Sequence, residues 1–423
     1  MANAANKAKH AAPLQVADAV ARILADVRTL GAIKVPLMDA YNCVLAVDAV
    51  APVTLPPWDN SAMDGYAVRA RDLAKLPVTL RVIESVAAGQ FPTKRVGAGE
   101  ATQIMTGAPV PEGVDTVVRV EDTDGGMPVV EIRDARDAGK NVRPRGEDIR
   151  EGQVAIAAGT PLGAAQIGVL ASLGFAEVGV IRAPRVAILT SGDELVELDG
   201  FDEVRAGKKI VSSNGYTLRT LVRAAGAEPA YLGIASDTPE SLRALLEQAR
   251  GCDLIITSAG ISVGEHDHMR DVLEAMGAEM KFWRVRMRPG APIGFGLLGG
   301  VPWIGLPGNP VSTMVTFELF ARPAIHKMRG HTKLFRRPVQ VVLDEPITIT
   351  ADLTHFLRAV VTMHGGRARA RLTGPQSSGI LTSMSMANAL LIVPADRRNV
   401  AAGETLNAML IGDDAELSGD FAL

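Results

Sequence analysis

Three changes of rhythm along the chain predict a multidomain α/β plus β protein. From Pro184 to about Gly330, short apolar runs alternate with helical stretches, the pattern of an α/β domain with an open, mostly parallel sheet. Between Val47 and about Val142, short β-rich runs are separated by Gly, Pro and Asp, which reads as a small all-β domain. After Gly330 the helical pattern stops, and residues 338–423 carry short alternating runs, a second small β domain or barrel.

Taken in order, residues 14–27 (LQVADAVARILADV) space their apolar side chains by three and four, so an amphipathic helix is expected. VTLRVIESV, DTVVRV and PVVEI are the strand candidates of the first β domain. Residues 150–181 return to a helical texture in LGAAQIGVLASLG. The two helical stretches therefore form one discontinuous linker domain, 1–46 with 147–182, and the β domain, 47–146, is inserted between them. In the α/β domain, 183–330, RVAILT is apolar enough to be a parallel strand buried on both faces. NGYTLRTLVRAAG is a helix ended by Gly226. SDTPESLRALLEQAR is a helix capped by Asp237 or Thr238, with Pro239 at its start. CDLIIT, FWRVRM and PIGFGLL are strands, and WIGLPGNPVSTMVTFELFARPAIHKM is a strand, a turn and a long helix. VQVVL, RARARLTG, ALLIVPA and TLNAMLIG are the strands of the C-terminal β domain, 331–423.

Composition excludes several classes. Hydrophobic residues make up 47% and charged residues 22%, so the chain is globular and not disordered. A formal net charge of -3 argues against a dominant nucleic-acid or anionic-membrane role. Cys43 and Cys252 match no metal spacing and sit in apolar runs, so buried reduced thiols are expected. The charged N-terminus lacks the apolar stretch of a signal peptide, and no run reaches about 18 apolar residues, so a cytoplasmic protein is expected.

Two loops follow apolar strands of the α/β domain: TSGDEL (190–195) and TSAGISVGEHD (257–267). Ligands of such sheets bind at the carboxyl ends of the strands. Small residues there, Ser191, Gly192, Ser258, Gly260, Ser262 and Gly264, let backbone N–H groups approach an oxyanion. Asp193, Glu194, Asp237 and Asp267 fall in loops after predicted strands, and carboxylates beside a phosphate loop suit Mg²⁺. Each alone is equally a cap or a solvated acid. Arg284, Arg286 and Arg288 share one face if FWRVRM is a strand, which fits an anion site or a solvated face. His266 and His268 lack a third metal ligand nearby and read as loop histidines. Trp58, Trp283 and Trp303 read as packing residues.

Together these motifs resemble the MoeA family, the molybdopterin molybdenumtransferases, also represented by the E domain of gephyrin. The resemblance runs from about residue 14 to the C-terminus. It rests on PPWDNSAMDGYAV (56–68), IMTGAPVPEG (104–113), RPRGEDI (143–149), TSGDEL, SVGEHD (262–267), RMRPGAP (286–292) and GLPGNPVS (305–312), in the family's order. It implies a central MogA-like α/β domain that binds molybdopterin, a linker domain that dimerises, and a cleft shared between subunits. The implied reaction converts adenylylated molybdopterin and molybdate into molybdenum cofactor and AMP, with Mg²⁺. Apo-molybdoenzymes and the adenylyltransferase are implied as transient partners. The implied catalytic residues are Asp59, Thr106, Asp148, Glu194, Asp237 and Asp267, with Glu194, Asp237 and Asp267 as Mg²⁺ ligands. Arg284, Arg288, Arg358 and Ser378 would hold molybdate or phosphates, and Pro307, Gly308, Asn309 and Pro310 would form the turn that presents a helix N-terminus. Arg284 and Arg288 stand where relatives often have lysine, Ala291 where many have a basic residue, and Ala259 where a Gly-Gly pair is usual. If that first glycine serves positive φ, Ala259 is strained; if it serves close approach, the added methyl shifts the ligand. An adenylyltransferase would need only residues 184–330, and a non-catalytic scaffold would show an extra interaction segment.

Overall fold

The computed structural model describes residues 12–259 and 268–412. The chain folds into two compact units, one of residues 35–41 and 47–178, the other of the remaining described residues.

The smaller unit holds a five-stranded sheet built from β1 (Gly65–Val68), β2 (Val78–Val86), β3 (Glu100–Ile104), β4 (Thr116–Arg119) and β5 (Val129–Ile132), in the order β4-β1-β3-β2-β5. Only β2 and β3 run parallel. Alternating side chains from these strands, among them Tyr66, Val68, Leu80, Val82, Val118 and Ile132, form its core. Gly65 is dictated by close approach: a Cβ there would lie 2.0 Å from the Val118 carbonyl oxygen. The same unit carries the helix Ala164–Ser172.

In the larger unit, α1 (Val16–Asp26) buries Ala19 and Ile23, the stripe that its three-and-four spacing predicts. The α/β region comprises β6 (Arg185–Ser191), α2 (Ser213–Ala224), β7 (Glu228–Ala235), α3 (Pro239–Gln248), β8 (Leu254–Ser258), α4 (His268–Ala275), β9 (Glu279–Arg284), β10 (Pro292–Leu298) and β11 (Val301–Leu306). Its sheet order is β7-β6-β8-β11-β10-β9, parallel across the first four strands and antiparallel across the last two pairings. Alternate residues of β6 enter opposite cores: Val186 and Ile188 one, Ala187 and Leu189 the other. Burial on both faces is why this strand reads as a continuous apolar run. Thr238, not Asp237, caps α3: its hydroxyl accepts from the Ser241 amide.

The expected long helix after Pro310 is α-helical over Pro310–Thr316, π-helical over Phe317–Ala321 and α-helical again over Arg322–Met328. The FWRVRM run is not one strand. β9 ends at Arg284, and Met287–Arg288 pairs in parallel with Thr354–His355 of the C-terminal domain. Exposure still alternates across the break, with Val285 and Met287 buried and Arg284 and Arg288 exposed.

The C-terminal strands β12 (Pro338–Leu343), β13 (Thr354–His364), β14 (Arg367–Leu372), β15 (Ala389–Val393) and β16 (Thr405–Leu410) close into a five-stranded barrel, β13-β14-β12-β16-β15-β13. Val341, Leu357, Ala359, Leu391 and Ala408 are among the residues that fill it. The chain is thus a multidomain α/β plus β protein. Among the described residues no helix is long and apolar enough to cross a membrane. Cys252 is buried and Cys43 half-buried, neither is in a disulfide, and burial raises the pKa of both thiols.

Candidate functional site

The parallel strands end where the predicted loops begin, and a cavity of about 410 Å³ opens there. Ser191 and Glu194 line it from the loop after β6, Asn214 from the start of α2, Ser258 and Ala259 from the end of β8, and Pro307–Pro310 from the turn after β11. Thr190 and Ser212 bridge its base, hydroxyl to hydroxyl, at 3.0 Å. Asn214 Nδ2 donates to Ser258 Oγ (2.9 Å) and to the Gly308 carbonyl (2.7 Å), and Ser258 Oγ donates to the Pro307 carbonyl (3.2 Å). The carbonyl fixes the amide orientation, because a flipped Asn214 would set oxygen against oxygen. Asn214 Oδ1 and Ser191 Oγ are then buried with no hydrogen-bond partner among the described residues. An orphaned buried polar atom costs about 1–3 kcal/mol, which a ligand that pairs with it recovers. Ala259 has φ +78°, so this position does demand the left-handed conformation and the alanine is strained.

Gly192 carries φ +150°, and a Cβ there would stand 2.6 Å from Glu194 Oε2, so the Glu194 carboxylate folds back over the glycine. Asp193 and Asp237 are brought together: each carboxylate accepts from the other's backbone N–H, at 3.1 and 3.4 Å. The donors at this spot are hard oxygens, which suits Mg²⁺. Among the described residues no group of three or more His, Cys, Asp or Glu is placed to hold a metal ion. Asp267, Gly260, Ser262, Gly264 and His266 lie outside the described residues.

A second cavity, of about 780 Å³, shares Pro292, Pro307 and Asn309 with the first and extends along the barrel. Arg288, Ala291, His355, Arg358 and Ser378 line it. Arg288 makes no salt bridge among the described residues. Arg284 ends β9 opposite Pro292, while Arg286 turns to the Asp352 carbonyl at 2.9 Å. Arg358 is fully buried, and its guanidinium is committed to protein acceptors: Ser383 Oγ (3.0 Å) and the carbonyls of Pro375 (3.4 Å), Gln376 (3.2 Å) and Ser377 (2.9 Å). Burial pulls its pKa down. It secures the loop that carries Ser378. Ser378 in turn receives Asn309 Nδ2 on its hydroxyl at 3.1 Å, and its carbonyl accepts from the Val311 N–H at 3.2 Å. The helix N-terminus at Pro310 therefore already has one amide satisfied.

In the smaller unit three loops are tied together. The Ser61 amide donates to the Ala108 carbonyl, Gly146 to Pro56 and Val110 to Asp59. This groups Asp59, Thr106 and Asp148, all exposed. Asp59 Oδ1 accepts from the Arg145 N–H at 2.6 Å. Thr106 is engaged by Asp64, which accepts from both its amide and its hydroxyl, and these bonds lower the Asp64 pKa. Trp58 is 37% exposed and packs edge-to-face on the exposed Phe91 at 4.9 Å. Trp283 and Trp303 stack at 5.6 Å.

Sequence reasoning quoted Thr190 within TSGDEL without giving it a role, and passed over Ser212, Asn214 and His355. The first three follow the rule already applied to the strand ends, since SSN opens the helix after IV; His355 stands in a strand that the run of alternating segments did not reveal.

Fold and site define a multidomain protein whose α/β region opens a polar cavity at the carboxyl ends of parallel strands, beside a second cavity along a C-terminal barrel. The comparisons are specific. Residues 14–174 match the MoeA N-terminal region (domains I and II), 187–327 a probable molybdopterin binding domain, and 340–411 the MoeA C-terminal region (domain IV). Molybdopterin molybdenumtransferase 2 of Mycobacterium tuberculosis (strain ATCC 25618 / H37Rv) is 38% identical over 396 residues, 91% of this chain and 96% of that protein. Molybdopterin molybdenumtransferase of Staphylococcus aureus (strain COL) is 33% identical over 408 residues, 95% and 97% of the two chains. The crystal structure of the molybdopterin biosynthesis moeA protein from Pyrococcus horikoshii OT3 superposes with a TM-score of 0.82 at 29% identity, covering 95% of this chain and all of that one. The chain belongs to the MoeA family of enzymes.

Proposed function

We propose that this chain inserts molybdate into adenylylated molybdopterin, releasing AMP and forming the molybdenum cofactor, in a Mg²⁺-dependent reaction. The observation that carries this reading is that two proteins named for molybdenum transfer to molybdopterin align over more than nine-tenths of the chain. The cavities support it. The smaller one offers neutral donors and acceptors that suit a heterocycle and its phosphate; the larger adds Arg288 and the Arg358-anchored loop, which suit an oxyanion. Cleaving the phosphoanhydride spreads negative charge, which fixed N–H, O–H and guanidinium groups stabilise. Ser191 Oγ and Asn214 Oδ1, without partners among the described residues, would donate to a phosphate oxygen and accept from a ring N–H, respectively. Glu194, Asp237 and Asp267 would hold Mg²⁺, which neutralises phosphate charge when bound. Asp59, Thr106 and Asp148 are carried as catalytic positions of the same proposal, as is the division into discontinuous linker, inserted β, α/β and C-terminal domains.

We further propose a cytoplasmic homodimer. Exposed Met38, Tyr41 and Val154 give the linker region an apolar surface that suits association. Contacts with an adenylyltransferase and apo-molybdoenzymes would be transient. The test is AMP release from adenylylated molybdopterin in Mg²⁺ buffer, with and without molybdate and with tungstate as competitor. Molybdate-dependent release with cofactor formation is expected; no release from a folded protein would overturn the reading.

A further inference from the structure

His355 lines the larger cavity and is 5% exposed. Its ring is held by a hydrogen bond to the backbone of Ala351, while Nε2 is buried with no partner among the described residues. The bond to Ala351 therefore uses Nδ1, which leaves the Nε2 lone pair as the unpaired atom. His355 is also the register partner of Arg288 in the parallel pairing of Met287–Arg288 with Thr354–His355. Partners in register project to the same side, so the imidazole and the Arg288 guanidinium, which has no salt bridge among the described residues, are neighbours on one cavity wall.

We propose that His355 is an oxyanion ligand acting beside Arg288, and that binding of a tetrahedral dianion in this cavity takes up one proton. The inference rests on the transferase reading for the identity of the dianion. A dianion favours a second positive group beside Arg288. Arg288 supplies one charge, and the guanidinium of Arg358, on the same strand as His355, is spent on loop carbonyls. The other charged groups near the strand start, Asp352 and Arg398, pair with each other, and Arg286 lies on the Asp352 carbonyl. The barrel neighbour of His355 is apolar Val393. Burial first, and then the Arg288 charge, hold the free imidazole neutral by lowering its pKa. A dianion reverses that preference: a solvent proton adds to the Nε2 lone pair, and the new N–H donates to an oxyanion oxygen. No other bond forms or breaks.

The test is calorimetric titration of the full chain with sodium molybdate between pH 6.5 and 8, in two buffers of different ionisation heat. Wild type is expected to take up close to one proton per molybdate, with affinity falling about tenfold per pH unit as pH rises. His355→Asn keeps an amide N–H for the Ala351 carbonyl and removes Nε2; its binding is expected to take up no proton and to be independent of pH. His355→Gln is the second variant should the first not fold. Wild-type binding without proton uptake, unmeasurable binding, or an unchanged pH dependence in a folded variant would overturn the assignment. AMP release measured in parallel separates the two claims. Transferase activity with pH-independent molybdate binding sinks only the role of His355, whereas absence of molybdate-dependent AMP release sinks the transferase reading.

Discussion

The two cavities of the larger unit share a wall of Pro292, Pro307 and Asn309, yet they are built from different chemistry. The one at the strand ends is lined by hydroxyls, an amide, small residues and the Glu194 carboxylate, and its buried atoms without a partner among the described residues, Ser191 Oγ and Asn214 Oδ1, are neutral. The one against the barrel carries two guanidiniums and an imidazole. Neutral groups at fixed positions read the shape and hydrogen-bonding edge of a ligand; mobile or unpaired charges read its anionic end. The difference recurs within the larger cavity, where one arginine is structural and the other is available.

The largest expected effect tests that contrast. Arg358→Met removes the donor to a hydroxyl and three carbonyls, leaving buried acceptors unpaired. Unfolding free energy is expected to drop by roughly 3–5 kcal/mol. Arg288→Ala, at an exposed side chain without a salt bridge among the described residues, is expected to leave stability within about 0.5 kcal/mol while weakening molybdate binding about tenfold or more. Denaturant titration of both variants checks the pair; equal losses of stability would erase the distinction between the two arginines.

The next effect contrasts the acids of the smaller unit with those of the α/β loops. Asp59→Asn keeps an oxygen for the Arg145 amide, so folding should survive. Its turnover is expected to fall about 100-fold or more, as for loss of one catalytic group. Asp267→Asn is expected to match it. Normal AMP release from either folded variant would remove that residue from the reaction.

Below these comes a pH effect from imidazoles outside either cavity. Burial pushes the His326 pKa down to about 3 and the His331 pKa down to about 4. Neighbouring Arg329 adds to both, and Arg322 and Arg336 to the first. The unfolded state, titrating near 6.5, binds more protons than the folded state below that pH. Stability from these rings is therefore complete above pH 6.5 and is lost as pH falls toward the folded values. The expected loss between pH 8 and pH 5 is roughly 2 kcal/mol per ring, to be read from denaturation midpoints. His326→Gln should flatten part of the slope, and an unchanged profile would mean that the ring is accessible to protons in the folded state. His355 differs because it lines a cavity and its Nε2 has no partner among the described residues, so its titration should follow ligand and not stability alone.

What the sequence made legible was whatever depends on neighbours in the chain. The apolar run of β6, the stripe on α1 and the proline at the start of α3 are local signals, and the structure realises each. The seven motif segments were likewise legible, because loops at strand ends carry short, ordered patterns. What stayed hidden depends on distant partners. FWRVRM looks uniform, yet it breaks after Arg284 because Met287–Arg288 finds a second partner in Thr354–His355. Strand β13, the longest of the barrel, is absent from the sequence reading: Arg358 interrupts its apolar run, and only the loop carbonyls that neutralise this arginine make its burial tolerable. His355 has no local signature at all, because its meaning comes from Arg288 across the pairing and from an empty position on Nε2.

The smallest effect concerns the cavity of neutral groups. Ala259, with φ +78°, occupies a conformation that costs an L-residue about 1–2 kcal/mol. Replacing it by glycine relieves that cost but frees the unfolded chain by about 0.5–1 kcal/mol. The net expectation for Ala259→Gly is a gain of about 0.5–1 kcal/mol, measurable by denaturant titration. The methyl also sets the approach of two loops: a Cβ on Gly308 would stand only 3.2 Å from that of Ala259. Only one of the two positions can carry a side chain without the loops moving apart, so Gly308→Ala should cost stability in wild type and cost less in the Ala259→Gly background. Additive effects of the two substitutions would show that backbone strain alone, and not the contact between loops, governs this wall of the cavity.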